Sequence, residues 1–395
     1  QMRRMQCLES FTAGICGIRN TEAEYRSWYS RLLPENQRTL SARVWRRHYT
    51  EKFHLTVLPD WNVLQPVHLH ISFSMEYEFK PMDMGNVMHE ALESFAEEVR
   101  KRGMKWTELT EQERNEIADR CLDNIVADYG NTVLKSSARN EYMIERTRRI
   151  LRRTVWALQK QLEQGEFQPE GFEVTFGGGR IDRVDIMEDQ NKVYVKVIDY
   201  KTGNTSFDLV YLYHGLQLQL MIYLDGALRV EQKKYPDKEI IPAGVFYYNI
   251  KDPMIQEKID ADVEAVSAGL MKELKMNGLV QADPELVYRM DSSLGSIPVA
   301  FNKDGNFRKN SSVADRTQFA VLGRYVRTKI EKIRSSILEG DAEVSPYELG
   351  KKNACTYCPY MTVCGFDRRL SGYEFRRLKN FSDEELWKAF DREAE

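Results

Sequence analysis

The 395-residue chain is 42% hydrophobic and 11% aromatic, which is typical of a folded protein with two or three domains. Its 57 Lys and Arg against 60 Asp and Glu give a formal net charge of -3, which neither requires nor excludes a nucleic-acid partner. No apolar run approaches the ~20 residues of a membrane span, and no G-x-x-x-x-G-K-[ST] loop for ATP hydrolysis is present. Six cysteines, three of them close together near the C-terminus, favour a reducing, cytoplasmic location and a metal site over disulfides.

The elements predicted along the chain alternate between helices and strands. The chain begins QMRRMQCLES, without an initiator Met or an apolar signal sequence, so we expect a fragment of a longer protein. Residues 83–160 have the apolar spacing of helices. We predict a hairpin over 172–201 with its turn in EDQN, a strand over 243–250, and helices over 211–228, 255–280 and 313–340.

The end of the hairpin, VIDYKTG, places charged residues on an apolar face. Side chains alternate along a strand, so the three valines of KVYVKV share a face with Asp199 and Lys201. If the hairpin turns at 190–191, Asp182 of GRIDRVDI lies opposite Asp199, with Cβ atoms ~5 Å apart. Two carboxylates this close repel unless a cation lies between them, and Mg2+ prefers such oxygen ligands. Lys201 is then suited to orient a water or to stabilise charge on a phosphate.

The structural alternative is a set of ion pairs at the rim of the sheet. In this interpretation Asp182 pairs with Arg180 or Arg183, and Asp199 pairs with Lys201. Opposite charges on one apolar face are costly unless they are paired or bound to something. Asp185 shares the other face of the strand, and we interpret it as structural, in an ion pair with an arginine.

The pattern G-x-x-D, a turn, and D-x-K at the end of the next strand resembles the core of PD-(D/E)XK nucleases, in the form of the RecB-type branch. The resemblance implies an α/β fold, a restriction-endonuclease-like mixed sheet flanked by helices with additional helical segments. GNVMHEAL is similar to the branch's G-x-x-x-H-x-x-L element, although a histidine on such a helix is otherwise a core or boundary residue. It implies a site of His89, Asp182 and Asp199 for Mg2+ or Mn2+, with Lys201 assisting catalysis.

A second helix resembles the Q-x-x-x-Y element of the same branch. In YHGLQLQLMIYLDGAL, Gln219 and Tyr223 lie four residues apart on one helical face. The resemblance implies that they are catalytic-site residues that steady the lysine and the DNA. Gln217 is the competing assignment, and a buried helix with an amide at its edge is the structural alternative. Glu173, which enters the strand before GGGR, is a further candidate to face the metal.

The cysteine cluster has the pattern C-x2-C-x5-C in NACTYCPYMTVCGFD, at Cys355, Cys358 and Cys364. The absence of a nearby histidine weakens a Cys3His zinc site, and proline after the second cysteine is common around iron–sulfur ligands. The spacing is similar to that of iron-staple nucleases, AddB subunits and CRISPR-associated relatives, and it implies a [4Fe-4S] cluster that ties the end of the chain to the domain. The fourth ligand stays open between Cys7, Cys16, a missing segment and no cluster at all. Cys121 is expected to pack in a helix.

Two stretches are candidates for a DNA surface. Residues 141–161, EYMIERTRRILRRTVWALQKQ, predict an amphipathic helix with five arginines, which is either a solvated face or a track for the phosphate backbone. Aromatic residues near the cysteines are candidates to stack bases of a single strand, namely Tyr357, Tyr360, Tyr373 and Phe375.

The resemblance covers residues 76–395, with the cysteine segment at 350–367 and an AddB-like tail, GYEFRRLKNFSDEELW. Residues 1–75 are then the end of a preceding helicase-like or linker region. The implied function is metal-dependent exonuclease digestion of single DNA strands, produced by a partner AddA-like helicase–nuclease subunit in double-strand-break repair. The alternatives are a stand-alone CRISPR-associated iron–sulfur nuclease and a non-catalytic DNA-binding or assembly module.

Overall fold

The computed structural model describes residues 54–56, 70–72, 79–128, 137–177, 179–255 and 262–394. The chain divides into two compact units, residues 1–76 and 77–395. In the first unit, β1 (His54–Thr56) and β2 (His70–Ser72) pair in an antiparallel manner. The assignment of residues 1–75 to a helicase-like or linker region falls largely outside the described residues and stays a prediction.

The second unit is organised around a mixed six-stranded sheet with the strand order β3-β4-β5-β6-β7-β8. Its strands are β3 (Gln168–Phe176), β4 (Gly179–Asp189), β5 (Lys192–Lys201), β6 (Glu239–Asn249), β7 (Asn277–Gln281) and β8 (Val313–Ala314). The β3–β4, β4–β5 and β6–β7 pairs are antiparallel, whereas β5–β6 and β7–β8 are parallel. The sequence predicted a mixed sheet of this kind.

Helices cover both faces of this sheet, and each face has its own hydrophobic core. On one face, α1 (Pro81–Lys101), α2 (Glu111–Asp128) and α3 (Ala138–Glu163) pack with Tyr194, Ile198 and Tyr200 of β5. On the other, α5 (Gln219–Lys234), α8 (Arg316–Leu338) and α10 (Asp383–Ala394) pack with the valines of β5. The remaining helices are α4 (Leu209–Tyr213), α6 (Val263–Glu273), α7 (Pro284–Met290), α9 (Met361–Cys364) and a 3-10 turn at Trp106–Glu108. Alternate residues of β5 therefore point into two different cores.

Local predictions were partly confirmed. The β4–β5 hairpin turns at Gln190–Asn191 as expected, and 313–340 contains α8. The first hairpin strand was wrong, because the chain reverses at Gly177, where φ is +31°, so that β3 and β4 are separate strands. The predicted 211–228 helix is broken between α4 and α5, where Gly215 has a φ of +79°. The end of the predicted 255–280 helix is the strand β7.

The C-terminal segment forms a small sheet of its own, with the order β10-β9-β11. These strands are β9 (Tyr347–Leu349), β10 (Lys352–Asn353) and β11 (Arg376–Arg377), and they bracket the cysteine cluster. The segment that follows is fixed to α4, because His214 Nε2 lies 2.8 Å from the carbonyl oxygen of Lys379. The ring of Tyr213 also packs against Phe381 and Phe390.

Candidate active site

The hairpin brings its two aspartates together, as its register predicted. Arg183 pairs with Ile198 and Val184 with Val197, so the next position along the ladder sets Asp182 beside Asp199. Asp182 is 8% exposed and Asp199 is 1% exposed. The backbone N–H of Tyr200 donates to Asp182 Oδ2 at 2.7 Å, which fixes one carboxylate against the neighbouring strand. Both acids lie at the end of their strands on the face that carries the valines.

His89 reaches the same point from α1. Its Nδ1 lies 3.5 Å from Asp182 Oδ2 and 3.7 Å from Glu173 Oε1. Within the described ranges, one group of three metal-ligating residues has donor atoms all within 4.8 Å of one another, and it is His89, Glu173 and Asp182. Asp199 stands outside this tight group, because its Oδ2 lies 2.6 Å from Lys201 Nζ. The structure thus adds Glu173 to the three ligands that the sequence suggested.

Glu173 reaches the site from a strained position. It has φ of +48° within β3, a left-handed conformation that is unusual for a residue with a side chain. Strain of this kind persists where the surrounding structure enforces it, and it concentrates at functional sites. The β3–β4 register sets Glu173 level with Asp182, since Val174 pairs with Ile181. Recognising the turn in GGGR as a chain reversal would have found this residue from the sequence.

The titration of these groups reflects an excess of buried negative charge. Burial raises the pKa of Asp182 to about 7, and the charge of Asp199 adds to the rise. Burial also raises the pKa of Asp199, although Lys201 opposes it. Burial acts to lower the pKa of His89, but the acidic neighbours outweigh it and the pKa is raised. A cation bound among these groups relieves the repulsion between them.

Lys201 is held in a chain of polar contacts that includes both residues of the predicted Q-x-x-x-Y element. Its Nζ donates to Gln219 Oε1 at 2.9 Å, and Gln219 Nε2 donates to the Tyr223 hydroxyl at 2.8 Å. Gln217, the competing assignment, instead bonds to the loop before α4: it accepts from the backbone N–H of Asp208. The geometry therefore selects Gln219 as the residue that positions the lysine.

Asp185 has the structural ion pair that we expected, together with a second cation. Arg183 Nε donates to Asp185 Oδ1 at 2.5 Å, and Lys196 Nζ lies 2.9 Å from Asp185 Oδ2. The Arg183 guanidinium lies 5.5 Å from the ring centres of both Trp106 and Phe172. All three charges are buried, and the two cations lower the pKa of Asp185 against the effect of its burial. This network stabilises the core behind the site.

The three clustered cysteines lie in one exposed segment. Cys355 accepts a backbone hydrogen bond from Cys358, and Cys364 ends α9. Burial raises the pKa of the Cys355 thiol, and the charges of Cys358 and Cys364 add to the rise. Cys121 is 4% exposed in the core beneath α2, as expected for a packing residue. Cys7 and Cys16 lie outside the described residues.

The predicted DNA surfaces have different outcomes. On α3, Arg148 and Arg152 form ion pairs with acids of α2, and Arg149 pairs with Asp252, so much of the basic face is already neutralised. This favours the solvated interpretation of the helix over a phosphate track. Near the cysteines, Tyr357 and Tyr360 are exposed.

The sheet, the paired aspartates and the positioned lysine are the defining features of one class of enzyme fold. The family model of the PD-(D/E)XK nuclease superfamily matches residues 66–365, and the chain belongs to this superfamily. This confirms the predicted fold class. In the part of the chain that the structure describes, no helix is long and apolar enough to cross a membrane.

Curated relatives are each named as the B-type polypeptide of an ATP-dependent helicase/deoxyribonuclease. The chain is 41% identical over 350 residues to that protein from Lachnoclostridium phytofermentans, with 83% of this chain and 30% of the relative covered. It is 35% identical over 349 residues to the protein from Clostridium acetobutylicum, with 82% of this chain and 30% of the relative covered. It is 34% identical over 342 residues to the one from Thermoanaerobacter sp. strain X514, with 80% of this chain and 30% of the relative covered. The chain therefore spans about 30% of the length of these relatives, which agree with the resemblance to AddB.

Proposed function

We propose that this chain is the nuclease portion of an AddB-type helicase/deoxyribonuclease polypeptide and that it hydrolyses DNA phosphodiester bonds with a divalent cation. One observation carries the proposal: His89, Glu173 and Asp182 converge beside the Asp199–Lys201 pair. A buried group of three acids without a cation is unfavourable, and the raised pKa of Asp182 records that. Rim ion pairs alone do not account for this arrangement, because Asp182 pairs with no arginine in the structure described.

The donor set fits a hard divalent cation. Three carboxylates and one imidazole would hold it, and oxygen-rich sets of this kind suit Mg2+ and Mn2+, with the imidazole favouring Mn2+. When bound, such a cation stabilises charge on the phosphate and makes water more acidic. Tyr200 N–H orients Asp182 through its 2.7 Å hydrogen bond, so one ligand is already in position.

Lys201 is the residue that we assign to catalysis. In the hydrolysis, a water oxygen bonds to phosphorus, the bond from phosphorus to the leaving sugar oxygen breaks, and a proton passes to that oxygen. Contacts with Asp199 and Gln219 hold Lys201 Nζ in one place, where its charge can stabilise the phosphate and orient the water. Tyr223 supports Gln219 and thereby acts as a positioning residue.

The substitution Asp199→Asn tests the function, because it removes the charge and keeps the shape. With a labelled single-stranded oligonucleotide and Mg2+ or Mn2+, we expect cleavage to fall at least about a hundredfold. Asp123→Asn is the matched control, since Asp123 is an exposed acid on α2 that pairs with Arg148. Unchanged cleavage by folded Asp199→Asn would refute the proposal, and DNA binding without cleavage by the parent chain would favour a non-catalytic module.

The broader role follows from the relatives rather than from the site. We propose exonuclease digestion of strands produced by an AddA-like helicase partner, in double-strand-break repair, because the relatives are named as helicase/deoxyribonuclease subunits. The same names disfavour a stand-alone CRISPR-associated nuclease. A DNA substrate labelled at either end, with and without that partner, distinguishes exonuclease from endonuclease products and shows whether the partner is needed.

We also propose that Cys355, Cys358 and Cys364 bind an iron–sulfur cluster. The three thiols lie in one segment beside the small sheet, and their donor atoms are not within 4.8 Å of one another, the spacing of a single-ion group. A multi-iron cluster holds its cysteines further apart than a single ion does, so the arrangement fits the cluster better. Among the described residues, Cys121 is the only other cysteine, and its burial makes it unsuitable as the fourth ligand. Cys7 and Cys16 remain the candidates.

A further inference from the structure

Arg180 is a cation at the mouth of the site that the mechanism above does not use. It follows the GGG turn at the start of β4 and pairs with Thr175 of β3. Its Nε lies 3.0 Å from Glu173 Oε2, whereas Glu173 Oε1 faces His89. The Arg180 side chain is 66% exposed and the Glu173 side chain is 10% exposed, so the arginine stands between the buried carboxylate and solvent.

The electrostatics of the site require a cation at this place. Glu173, Asp182 and Asp199 repel a DNA phosphate, and Glu93 on α1 adds to the negative charge, since its pKa is raised by burial and by Glu173. Lys201 is already bound to Asp199 and Gln219. Within the ranges that the structure describes, Lys201 and Arg180 are the lysine and arginine side chains that contact the carboxylates of the site. Arg180 is the more exposed of the two.

We propose that Arg180 binds a phosphate of the DNA backbone, and that its ion pair with Glu173 stores it beside the site until metal and substrate are present. The proposal rests on the nuclease function proposed above. An arginine stays charged at all relevant pH values, and its planar fork of five N–H donors matches the oxygens of a phosphate. An ion pair with an exposed partner is weak, so exchange of Glu173 for a phosphate is easy once a cation engages Glu173.

The competing interpretation is that Arg180 only holds Glu173 in its strained conformation. The two roles make opposite predictions for metal affinity. If Arg180 only holds the ligand, its loss weakens Mn2+ binding. If Arg180 binds phosphate, its loss removes a competitor for Glu173, so Mn2+ binds equally well or better while DNA binds less well.

The test compares Arg180→Gln and Arg180→Lys with the control Arg229→Gln. Arg229 is matched, because it is 67% exposed and pairs with Asp225 on the same helix, away from the site. Mn2+ affinity is measured by calorimetry, and DNA affinity by fluorescence anisotropy on the full chain with Mn2+. The probe is a single-stranded phosphorothioate oligonucleotide, which keeps its charge and resists hydrolysis.

We expect Arg180→Gln to weaken DNA binding about tenfold, since a charge-assisted contact is lost. The slope of log affinity against log salt should fall in magnitude by about 0.7, the value for one phosphate contact on a single strand. Arg180→Lys should restore the salt slope and recover only part of the affinity, because it keeps the charge and loses the fork. Mn2+ affinity should not fall in either variant.

Weaker Mn2+ binding by Arg180→Gln with an unchanged salt slope would overturn the proposal in favour of the holding role. Equal DNA affinity and slope in Arg180→Gln and Arg229→Gln would overturn it as well. Failure of the nuclease function would be recognised separately, because the parent chain would then bind this DNA and yet leave a normal phosphodiester oligonucleotide intact with Mn2+.

Discussion

Replacing Asp182 by Asn should stabilise the metal-free protein at alkaline pH, although it removes a proposed metal ligand. The unfolded carboxyl ionises near 3.8, and burial with the charge of Asp199 raises its pKa to about 7 in the fold. The folded state therefore binds this proton more tightly than the unfolded state. Stability that depends on the proton is fully present below about pH 4 and is lost as the pH rises to about 7.

The size of the effect follows from the same values. Each pKa unit corresponds to about 1.36 kcal/mol, so ionising Asp182 from 3.8 to about 7 costs the fold on the order of 4 kcal/mol. Asparagine carries no charge, and its side-chain oxygen can still accept the N–H of Tyr200. We expect Asp182→Asn to raise the melting temperature by several degrees at pH 8 in chelator, and to change it little at pH 4.

The assay is thermal unfolding at both pH values, with and without Mn2+. Mn2+ should raise the melting temperature of the parent protein at pH 8 more than at pH 6, and it should have little effect on Asp182→Asn. Asp185→Asn is the control, because it leaves Arg183 and Lys196 buried without their shared acid and should destabilise by about 3–5 kcal/mol. An Asp182→Asn variant that melts below the parent protein in chelator at pH 8 would show that the buried acids are not under this strain.

Three further substitutions separate the roles of the remaining groups. Lys201→Met should reduce cleavage at least about a hundredfold and leave Mn2+ affinity within a few-fold of the parent value; a large loss of metal affinity would contradict its catalytic role. Gln219→Ala frees the lysine and should lower kcat about tenfold with little change in KM, as a steady-state comparison with Gln217→Ala would show. Cys355→Ser should remove visible absorbance and make the segment after residue 340 sensitive to protease, whereas unchanged absorbance would argue against the cluster.

The sequence predicted the site where chemistry and strand alternation agree. In KVYVKVIDYK, the period of two is regular, so the shared face of Asp199 and Lys201 and the register with Asp182 followed from the turn position alone. Asp185 was correctly separated from the site for the same reason, since it lies on the opposite face with Arg183. The restriction-endonuclease-like fold came from resemblance, and the family match confirmed it.

What the sequence did not predict depended on backbone conformation and on contacts far apart in the chain. The turn at Gly177 and the left-handed Glu173 divide an apparently continuous strand and bring an additional carboxylate to the site. The α3 arginines looked like a DNA surface because their acidic partners lie on another helix, as Asp119 does opposite Arg152. Pairing of this kind leaves no local pattern in the sequence, and the same holds for the contact between Arg180 and Glu173 within a hairpin that was not recognised.

Anomalous diffraction at the manganese absorption edge, from crystals of the full chain soaked in Mn2+, tests the central claim most directly. The account predicts a manganese peak in coordinating contact with His89, Asp182 and Glu173, with Asp199 beside it. A site that stays empty at millimolar Mn2+, or a map that shows Asp182 and Asp199 directed away from each other, would contradict it.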